Sequence, residues 1–368
     1  MSKPSATKLD PNLQPQGAPT SALQWFSPSE PPFRLAGFPW FATDGAYRRL
    51  PVKPACVLPP AVNTLADCTA GGQIRFRSDT ARVAVRVTLS RAADMVHMPA
   101  TGQCGFDLYV GDGAAQRFYG VAKYDHRQSA YEVLLFEHLQ RDVRSFTINF
   151  PLYVGVTRVD VGLSPGARVW APAPYAAKSK IVVYGTSIVQ GGCASRPGMA
   201  YTNILSRRLN LEVINLGFSG NGRGEPEVAR LVAEIPAPGL FVLDYDANCP
   251  SSEQLRTTLP EFIRILRARH ARVPILVISR IAFAHDAVQT ADGRGRERRR
   301  QVQAAVVAAE RKRGDRHIAF LDGVKLIGDG DADCTVDGIH PTDLGFVRMA
   351  DRLEPVIRRL LKKPRRAG

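Results

Sequence analysis

The feature that most constrains the fold is a short apolar run that ends in Gly-Thr-Ser and is followed by a helical pattern. Residues 181–184 are Ile-Val-Val-Tyr, a β-branched and aromatic run typical of a strand buried on both faces. Beyond it, apolar residues recur at helical spacing from residue 201 to 209. The stretch therefore predicts a strand–loop–helix junction with Ser187 at the carboxyl end of the strand, the edge at which open α/β sheets bind ligands. Gly-x-Ser also ends many strands that carry no chemistry.

The rest of the C-terminal half alternates predicted strands with predicted helices. Further strands are predicted at 212–216, 240–244, 274–279 and 317–321. Helical periodicity covers 253–270, 296–313 and 344 to about 361, and Pro355 is expected to kink the last helix or to start a second piece. Five strands with intervening helices predict a flavodoxin-like three-layer α/β/α domain with a parallel sheet and right-handed crossovers.

The N-terminal half has a different pattern, made of short strands without a helix of convincing length. Residues 82–89 alternate apolar and polar positions, as a half-buried strand does. Residues 106–110 and 117–121 flank Gly-Asp-Gly, which is a hairpin signal. Further strands are predicted at 131–136, 145–150 and 158–163. This pattern favours an all-β sandwich or jelly roll, separated from the second half by the stiff connector Ala-Pro-Ala-Pro at 171–174.

The length of 368 residues also favours two domains. We expect a flexible arm at 1–22, a β domain at 23–172, an α/β domain at 178–362 and a basic tail at 363–368. The formal net charge of +15 concentrates at residues 294–300 and 358–366. Such clusters bind nucleic acid or acidic surfaces in some proteins. Here they lack interleaved aromatic residues and a nucleic-acid motif, which favours a solvated helix and a frayed terminus over a specific nucleic-acid partner.

No apolar run approaches the ~20 residues needed to span a bilayer, so no membrane association is expected. The first twenty-odd residues lack the apolar segment of a secretory signal, which favours a cytoplasmic location unless a signal has been removed. The six cysteines form no CxxC pair and predict neither a zinc site nor a disulfide framework. Cys193, Cys249 and Cys334 lie near the predicted strand ends, either as redox-sensitive neighbours of a site or, more simply, as small buried thiols.

Polar residues follow several of the predicted strands at the same edge of the sheet. Gly220 lies in a Gly-rich loop after the second strand, and Asn248 follows the third. Asp337 and His340, three residues apart, lie beyond the fifth. A carboxylate can orient an imidazole, and the imidazole can take the proton of a serine hydroxyl, which is otherwise a poor nucleophile. Each residue alone has a structural explanation, as a turn, a helix cap or a surface histidine. Their coincidence with Ser187 predicts a catalytic serine site.

A second serine motif does not fit catalysis. Residues 162–166, Gly-Leu-Ser-Pro-Gly, match the Gly-x-Ser-x-Gly elbow of α/β-hydrolases. In that elbow the residue after the serine donates its backbone N–H to the oxyanion, and Pro165 has no N–H. Ser164 is therefore predicted to be a turn residue.

The C-terminal blocks resemble those of the SGNH hydrolases, also called GDSL-like esterases, over residues 178 to about 362. Gly-Phe-Asp-Leu-Tyr at 105–109 further resembles a β domain that precedes the hydrolase domain in one branch of that family, as does the run Gly-Thr-Ser-Ile-Val-Gln-Gly-Gly after the first strand. Some members of that family are thought to deacetylate carbohydrates. Two departures stand out: Gly-Thr-Ser replaces the usual Gly-Asp-Ser, and Asp-Ala-Asn-Cys replaces Gly-x-Asn-Asp.

The resemblance implies roles for five residues. Ser187 would be the nucleophile, His340 the base and Asp337 its orienting partner. The N–H groups of Ser187 and Gly220 and the side-chain amide of Asn248 would form the oxyanion hole.

The sequence thus predicts a serine esterase for short acyl esters, acetyl esters included, with an acetylated carbohydrate among the candidate substrates and with no metal or organic cofactor. Arg196 and His97 are weaker candidates for lining the acyl or alcohol pocket. Two other functions remain open: an inactive carbohydrate-binding relative, and a flavodoxin-like protein that binds a phosphate ligand, although no lysine of a phosphate loop follows the first strand. The oligomeric state is open, with a homo-oligomer among the options.

Overall fold

Two antiparallel sheets make up the N-terminal half of the chain in the computed structural model, which describes residues 6–19, 22–288, 290–328 and 330–362. One sheet has the order β1-β9-β4-β7, and the other has the order β10-β3-β8-β5-β6 with β2 paired to β3. The strands are β1 Gln24–Phe26, β2 Arg34–Ala36, β3 Gln73–Ser78, β4 Arg82–Leu89, β5 Asp107–Val110, β6 Arg117–Val121, β7 Ala130–Glu137, β8 Arg144–Asn149, β9 Val156–Leu163 and β10 Val169–Trp170.

One apolar cluster fills the space between the two sheets. Alternate residues of β4, among them Val83 and Val85, pack into the same cluster as Phe76 of β3 and Ile148 of β8. The exposed positions of β4 carry Arg86 and Thr88, as the alternating pattern predicts. The expected all-β sandwich architecture is therefore confirmed. Its helices are short, namely α2 Phe41–Asp44, α3 Pro60–Leu65 and α4 Ala100–Gln103.

Four strands of this half were not predicted, for two reasons. β1, β2 and β10 have two or three residues each, too few to show a period of two. β3 was hidden by its polar residues, because Gln73 and Arg75 are buried there. Gln73 bonds Asn149, and the Arg75 guanidinium lies over the Tyr175 ring. Tertiary partners thus allow polar side chains inside a strand that the hydrophobic pattern does not reveal.

A five-stranded parallel sheet organises the C-terminal half. Its order is β12-β11-β13-β14-β15, so the chain moves from β11 to one neighbour and then crosses to the other. The strands are β11 Lys180–Gly185, β12 Val213–Gly217, β13 Pro238–Asp244, β14 Ile275–Ile278 and β15 Ile318–Leu321. The helices are α5 Ser187–Gln190, α6 Tyr201–Leu209, α7 Pro226–Glu234, α8 Ser252–Arg269, α9 Thr290–Lys312 and α10 Asp343–Lys362.

Helices cover both faces of this sheet. Ile181 and Val183 of β11 pack into one cluster with residues of α6 and α10. Val182 and Tyr184 point the other way, into a cluster with residues of α7 and α8. The central strand is therefore buried on both faces, and the predicted three-layer architecture with a parallel sheet is confirmed.

Two details differ from the expectation. The nine-residue helix α7 was not predicted. Helix α10 continues through Pro355 as one element, so no second piece begins there. Among the described helices, none combines the length and the apolar composition needed to cross a bilayer.

The structure describes one of the two basic clusters in full and only part of the two termini. Arg294 and Arg298 of α9 are exposed, whereas Arg296 pairs with Asp286. The predicted basic tail at 363–368 lies outside the described residues, as do residues 1–5 and 20–21 of the arm. The described part of the arm includes the short helix α1 Ala6–Leu9. The arm contacts the segment after β6, where the Lys123 ammonium donates to the Asn12 carbonyl at 3.0 Å.

A buried arginine joins the β domain to the parallel sheet. Arg49 is 0% exposed, and burial lowers the pKa of its guanidinium to about 10. It donates to the carbonyls of Leu65 and Cys68 at 2.6 Å and, across the interface, to the carbonyl of Gly217 at 2.5 Å. Gly217 ends β12. This arginine therefore fixes the β domain against the carboxyl end of β12, next to the loops that follow the strands.

Candidate active site

Ser187 lies at the point where the strand order reverses. β11 pairs with both β12 and β13, and the loops after these strands enclose its carboxyl end, as in other open α/β sheets that bind ligands there. Ser187 starts α5 immediately after the cap residue Thr186, whose hydroxyl accepts from the N–H of Ile188 at 3.3 Å. Gly191, with φ of +106°, ends this short helix in the left-handed conformation. The strand and these two caps hold Ser187, which is 7% exposed.

A hydrogen-bonded chain connects Ser187 to a histidine and a carboxylate. The Ser187 Oγ lies 2.9 Å from His340 Nε2, and His340 Nδ1 lies 2.7 Å from Asp337 Oδ2. A proton on Nδ1 is donated to the carboxylate, which leaves a lone pair on Nε2 to accept the serine hydroxyl. The chain thus has the connectivity that activates a serine.

Hydrogen bonds around Asp337 keep it charged and fix its orientation. Its Oδ1 accepts from the backbone N–H groups of Ile339 at 3.0 Å and His340 at 2.8 Å. Partial burial opposes ionisation, but these bonds and the one to the imidazole outweigh it, and the pKa of the Asp337 carboxyl is lowered.

The loop that carries Asp337 and His340 is held by backbone contacts rather than by a strand. Thr335 and Pro341 form an isolated bridge, and the Val336 N–H donates to the His340 carbonyl at 2.8 Å. The Gly338 carbonyl accepts from the Ala284 N–H at 2.8 Å. Gly338 has φ of +84°, and a Cβ there would lie 3.1 Å from the Ala284 Cβ, so this turn favours glycine.

Two other carboxylates near this loop do not contact the histidine. Asp333 is exposed. Asp343 accepts from the N–H of Ser195 at 2.9 Å and from its hydroxyl. Among the described residues, Asp337 is therefore the carboxylate that orients His340.

Hydrogen-bond donors lie in the loops that follow β11, β12 and β13. Asn248 Nδ2 donates to the Phe218 carbonyl at 3.2 Å, which leaves its second amide hydrogen for another acceptor. Gly220 adopts φ of +68° in the loop after β12. Within the part of the chain that the structure describes, the backbone N–H groups of Ser187 and Gly220 donate to no protein acceptor. The three groups predicted to stabilise an oxyanion thus each retain a donor.

Two residues that sequence reasoning missed hold the Ser187 loop in place. Gln190 accepts from the Ser219 N–H at 3.0 Å and donates to the Leu152 carbonyl at 3.1 Å. Tyr153 of the β domain donates from its hydroxyl to the Ser187 carbonyl at 3.4 Å. Gln190 gave one signal, as a polar residue in an apolar and Gly-rich run. Tyr153 gave none, because its partner is distant in sequence.

Two buried carboxyl groups lie just behind the Ser187 loop. Asp244, opposite Gly185 in the sheet, accepts from the Tyr201 hydroxyl at 3.3 Å. Burial, with the nearby Asp246 charge, raises the pKa of Asp244 to about 7, and burial raises that of Asp246 to about 6. The low dielectric around them disfavours the ionised form.

The weaker candidates Arg196 and His97 occupy different places. Arg196 contacts the β domain: its guanidinium donates to Asp107 at 3.0 Å and lies 3.7 Å from the Phe118 ring centroid. Asp107 belongs to the Gly-Phe-Asp-Leu-Tyr motif, which therefore lies where the β domain contacts the loop that carries Arg196. His97 does reach the site, with its Nε2 3.9 Å from Asp337 Oδ2. A substrate-binding role for either residue stays a prediction.

The cysteines near the site are thiols. Cys193, Cys249 and Cys334 are all buried. Burial, together with nearby acidic charge, raises the pKa of Cys193 and of Cys249 to about 12, so both stay protonated at neutral pH. Among the described residues, one group of metal-ligating side chains lies at the site: His97, Cys193 and His340, whose ligand atoms are all within 4.8 Å of one another. Ser164 lies in a turn after β9, as predicted.

Comparisons with known proteins give the family of the chain. Residues 178–358 match the model of the GDSL-like Lipase/Acylhydrolase family, and residues 23–169 match the model described as the N-terminus of Esterase_SGNH_hydro-type. A search among curated proteins returns no match.

Solved structures resemble the chain over most of its length. A protein of Bacteroides ovatus ATCC 8483 described as a GDSL-like lipase is 30% identical, with a TM-score of 0.85 over 93% of this chain and 98% of that one. The salicylyl-acyltransferase SsfX3 from a tetracycline biosynthetic pathway is 21% identical, with a TM-score of 0.76 over 94% of this chain and 99% of that one. A family two carbohydrate esterase from Clostridium thermocellum, in complex with cellohexaose, is 17% identical, with a TM-score of 0.57 over 79% and 93%. The last two share the fold.

Proposed function

Because this chain belongs to the GDSL-like lipase/acylhydrolase family, we propose that it is a serine esterase that hydrolyses short-chain acyl esters, acetyl esters above all, with carbohydrate as the alcohol. The observation that carries the proposal is the chain of two hydrogen bonds, 2.9 Å from Ser187 to His340 and 2.7 Å from His340 to Asp337. These are hydrogen-bond distances for a nucleophile, its base and the group that orients the base.

The acylation step follows from this geometry. Neutral His340 accepts the Ser187 proton on Nε2 while Oγ attacks the acyl carbonyl, and the carbonyl electron pair moves to the oxygen. Asp337 holds the ring and stabilises the imidazolium that forms. The N–H groups of Ser187 and Gly220 and the Asn248 amide stabilise the negative oxygen, since preorganised donors act most strongly where charge develops.

The same groups complete the cycle. When the tetrahedral intermediate collapses, the ester C–O bond breaks and His340 gives its proton to the leaving alcohol. Water then enters, His340 takes a proton from it, and the resulting hydroxide attacks the acyl-enzyme carbonyl. Collapse releases the acid and returns the proton to Ser187, so no external reductant or oxidant is needed.

The substrate class rests on burial and on fold. Ser187 is only 7% exposed, which favours small acyl groups over long chains at the carbonyl that it attacks. The carbohydrate esterases with this fold support a sugar as the alcohol. The similarity to SsfX3 adds acyl transfer to an acceptor alcohol as a variant of the same acyl-enzyme chemistry.

The rival functions are less well supported. An inactive carbohydrate-binding protein does not require the Ser187–His340–Asp337 connection, which is present in full. A phosphate-binding flavodoxin-like protein shares the strand order. The residues that follow β11, from Thr186 to Ala200, include no lysine of a phosphate loop.

A chain-length series tests the proposal. p-Nitrophenyl acetate, butyrate and octanoate are hydrolysed by the purified protein, and kcat/KM is compared. We expect the highest value for acetate, and an acyl-enzyme on the peptide that contains Ser187 when the reaction is quenched and analysed by mass spectrometry. Added methanol distinguishes transfer from hydrolysis by the amount of methyl ester formed. The absence of both turnover and acylation would contradict the proposal.

A further inference from the structure

Three side chains with metal-ligating atoms converge beside Ser187, and two of them take no part in the proposed reaction. His97 comes from the loop before α4 of the β domain, Cys193 from the loop after α5, and His340 from the loop before α10. Their ligand atoms all lie within 4.8 Å of one another. The rings of His97 and His340 are 5.8 Å apart, at an angle of 59°. Two domains thus bring two imidazoles and a thiol to one point.

Asp337 orients one of the two imidazoles and lies close to the other. Its Oδ2 accepts from His340 Nδ1 at 2.7 Å and lies 3.9 Å from His97 Nε2. The hydrogen bond to Nδ1 leaves Nε2 of His340 as the ligand atom of that ring. Histidines that bind metals nearly always have such a carboxylate or carbonyl on the opposite nitrogen, because it fixes the tautomer and increases the basicity of the ligating atom.

The donor set selects a class of metal. Two imidazoles and one thiolate match Zn²⁺ and similar borderline-soft divalent cations, and they do not match Mg²⁺ or Ca²⁺, which prefer oxygen. Zn–N bonds of about 2.0 Å and Zn–S bonds of about 2.3 Å place two nitrogens and one sulfur of a tetrahedral site roughly 3.3–3.5 Å apart. Small side-chain rotations bring ligand atoms within 4.8 Å to that spacing.

A fourth ligand and a path for entry are also present. Ser187 Oγ lies 2.9 Å from His340 Nε2, where it or a water can complete the tetrahedron. Cys193 is buried, but the side chains of His97 and His340 are 35% and 21% exposed, so a cation can enter from their side.

We propose that His97, Cys193 and His340 form a reversible inhibitory site for Zn²⁺. On binding, the Cys193 thiol releases its proton to solvent, and both histidines bind as neutral imidazoles. The metal occupies the lone pair of His340 Nε2, and that nitrogen can no longer accept the Ser187 proton. The binding step rests on geometry alone, and its inhibitory consequence rests on the proposed function.

The first experiment measures inhibition of p-nitrophenyl acetate hydrolysis by Zn²⁺, with each protein compared with its own metal-free rate. Outer contacts of a metal site change affinity by about 10–100-fold, so loss of a direct ligand in Cys193→Ser or His97→Ala should raise the inhibition constant at least about tenfold. Cys334→Ser is the matched control, a buried cysteine beside the same loop but outside the cluster, and should keep the wild-type constant. A chelator should restore the wild-type rate, and Mg²⁺ should not inhibit. Equal inhibition constants in the wild type, Cys193→Ser and His97→Ala would overturn the proposal.

The second experiment does not depend on esterase activity. Ser187→Ala is titrated with Co²⁺, which reports a thiolate ligand by a near-ultraviolet charge-transfer absorption. We expect saturation at one ion per chain, and loss of the absorption when Cys193→Ser is added to Ser187→Ala. If Ser187→Ala shows no thiolate absorption, the site does not exist, whatever the esterase assays give. If it shows the absorption but the wild type hydrolyses no ester, the metal site stands and the proposed function fails.

Discussion

The two sides of the candidate site are built in opposite ways. Ser187 follows the central strand of a parallel sheet, is 7% exposed, and is fixed by contacts from α5, the loop after β12 and the β domain. Asp337 and His340 lie in a loop that no strand precedes directly, with side chains 32% and 21% exposed. Carboxyl groups respond accordingly: burial raises the pKa of Asp244 behind Ser187, whereas hydrogen bonds lower that of Asp337.

The comparison separates two requirements of a serine site. The nucleophile needs a fixed position, which a buried strand end supplies. The base must be oriented yet remain able to exchange protons with substrate and solvent, which a short exposed loop with contacts at i, i+3 allows. Substitutions of the buried groups behind Ser187 should therefore change stability, whereas those on the loop should change rate alone.

The largest expected effect tests the buried side. Ser187→Ala should lower kcat by about 10⁴–10⁶-fold, because the nucleophile is lost, with the fold unchanged by circular dichroism. Ser164→Ala, the serine of the second motif, is the matched control and should keep the wild-type rate. Inactivation by Ser164→Ala together with activity in Ser187→Ala would reverse the assignment.

Asp337→Asn tests the exposed loop. It keeps the shape of the side chain but removes the charge that orients and stabilises the imidazole, and it should lower kcat by about 10²–10⁴-fold. The melting temperature should change little, since the loop is exposed. Asp333→Asn, four residues away on the same segment, should leave kcat near the wild-type value. Near-normal activity of Asp337→Asn would mean that Ser187 and His340 act without this carboxylate.

Asn248→Ala is the next test, on the Ser187 side of the site. The loss of one preorganised oxyanion donor costs on the order of 10²–10³ in kcat, or about 3 kcal/mol, with little change in KM. Asn221→Ala removes the nearby amide that donates to the Ser219 carbonyl at 2.8 Å, and serves as the control. A loss below about threefold for Asn248→Ala would show that another group supplies the donor.

The smallest effect concerns stability and pH. The pKa of Asp244 is raised from 3.8 to about 7 in the folded chain, so the folded state holds a proton that the unfolded state has lost between those values. The stability that this carboxyl group contributes is present below its pKa in the unfolded state. It is lost as pH rises through its pKa in the folded state. Asp244→Asn should therefore reduce, by a few degrees, the fall in melting temperature between pH 5 and pH 8.

The control for this measurement is Asp351→Asn, an exposed aspartate of α10 whose substitution should leave the pH dependence as in the wild type. Calorimetry at pH 5 and pH 8 gives the fall in melting temperature for each protein. Comparing the fall in the variant with that in the wild type removes the contribution of the other titrating groups. The same fall in Asp244→Asn and in the wild type would mean that Asp244 is ionised in the folded chain at pH 5.

Most of the correct predictions came from patterns within a few consecutive residues. The strand before Ser187 shows in a run of apolar residues, and the Asp337–His340 contact needs only a spacing of three. What could not be predicted depends on residues that meet only after folding, such as the reach of His97 to Asp337 or of Tyr153 to the Ser187 carbonyl. Buried polar residues such as Gln73 hid β3 for the same reason, because their partners are distant in the chain.

The contacts of the Arg49 guanidinium limit how the β domain of one relative can be joined to the α/β domain of another. Its bonds to Cys68 and Gly217 tie carbonyls of both domains to one cation. An α/β domain grafted onto a foreign β domain that lacks this arginine would leave the Gly217 carbonyl, at the strand end next to Ser187, without its donor. The two domains are therefore not interchangeable parts, and a chimera between relatives should carry this arginine and its acceptors as one inherited unit.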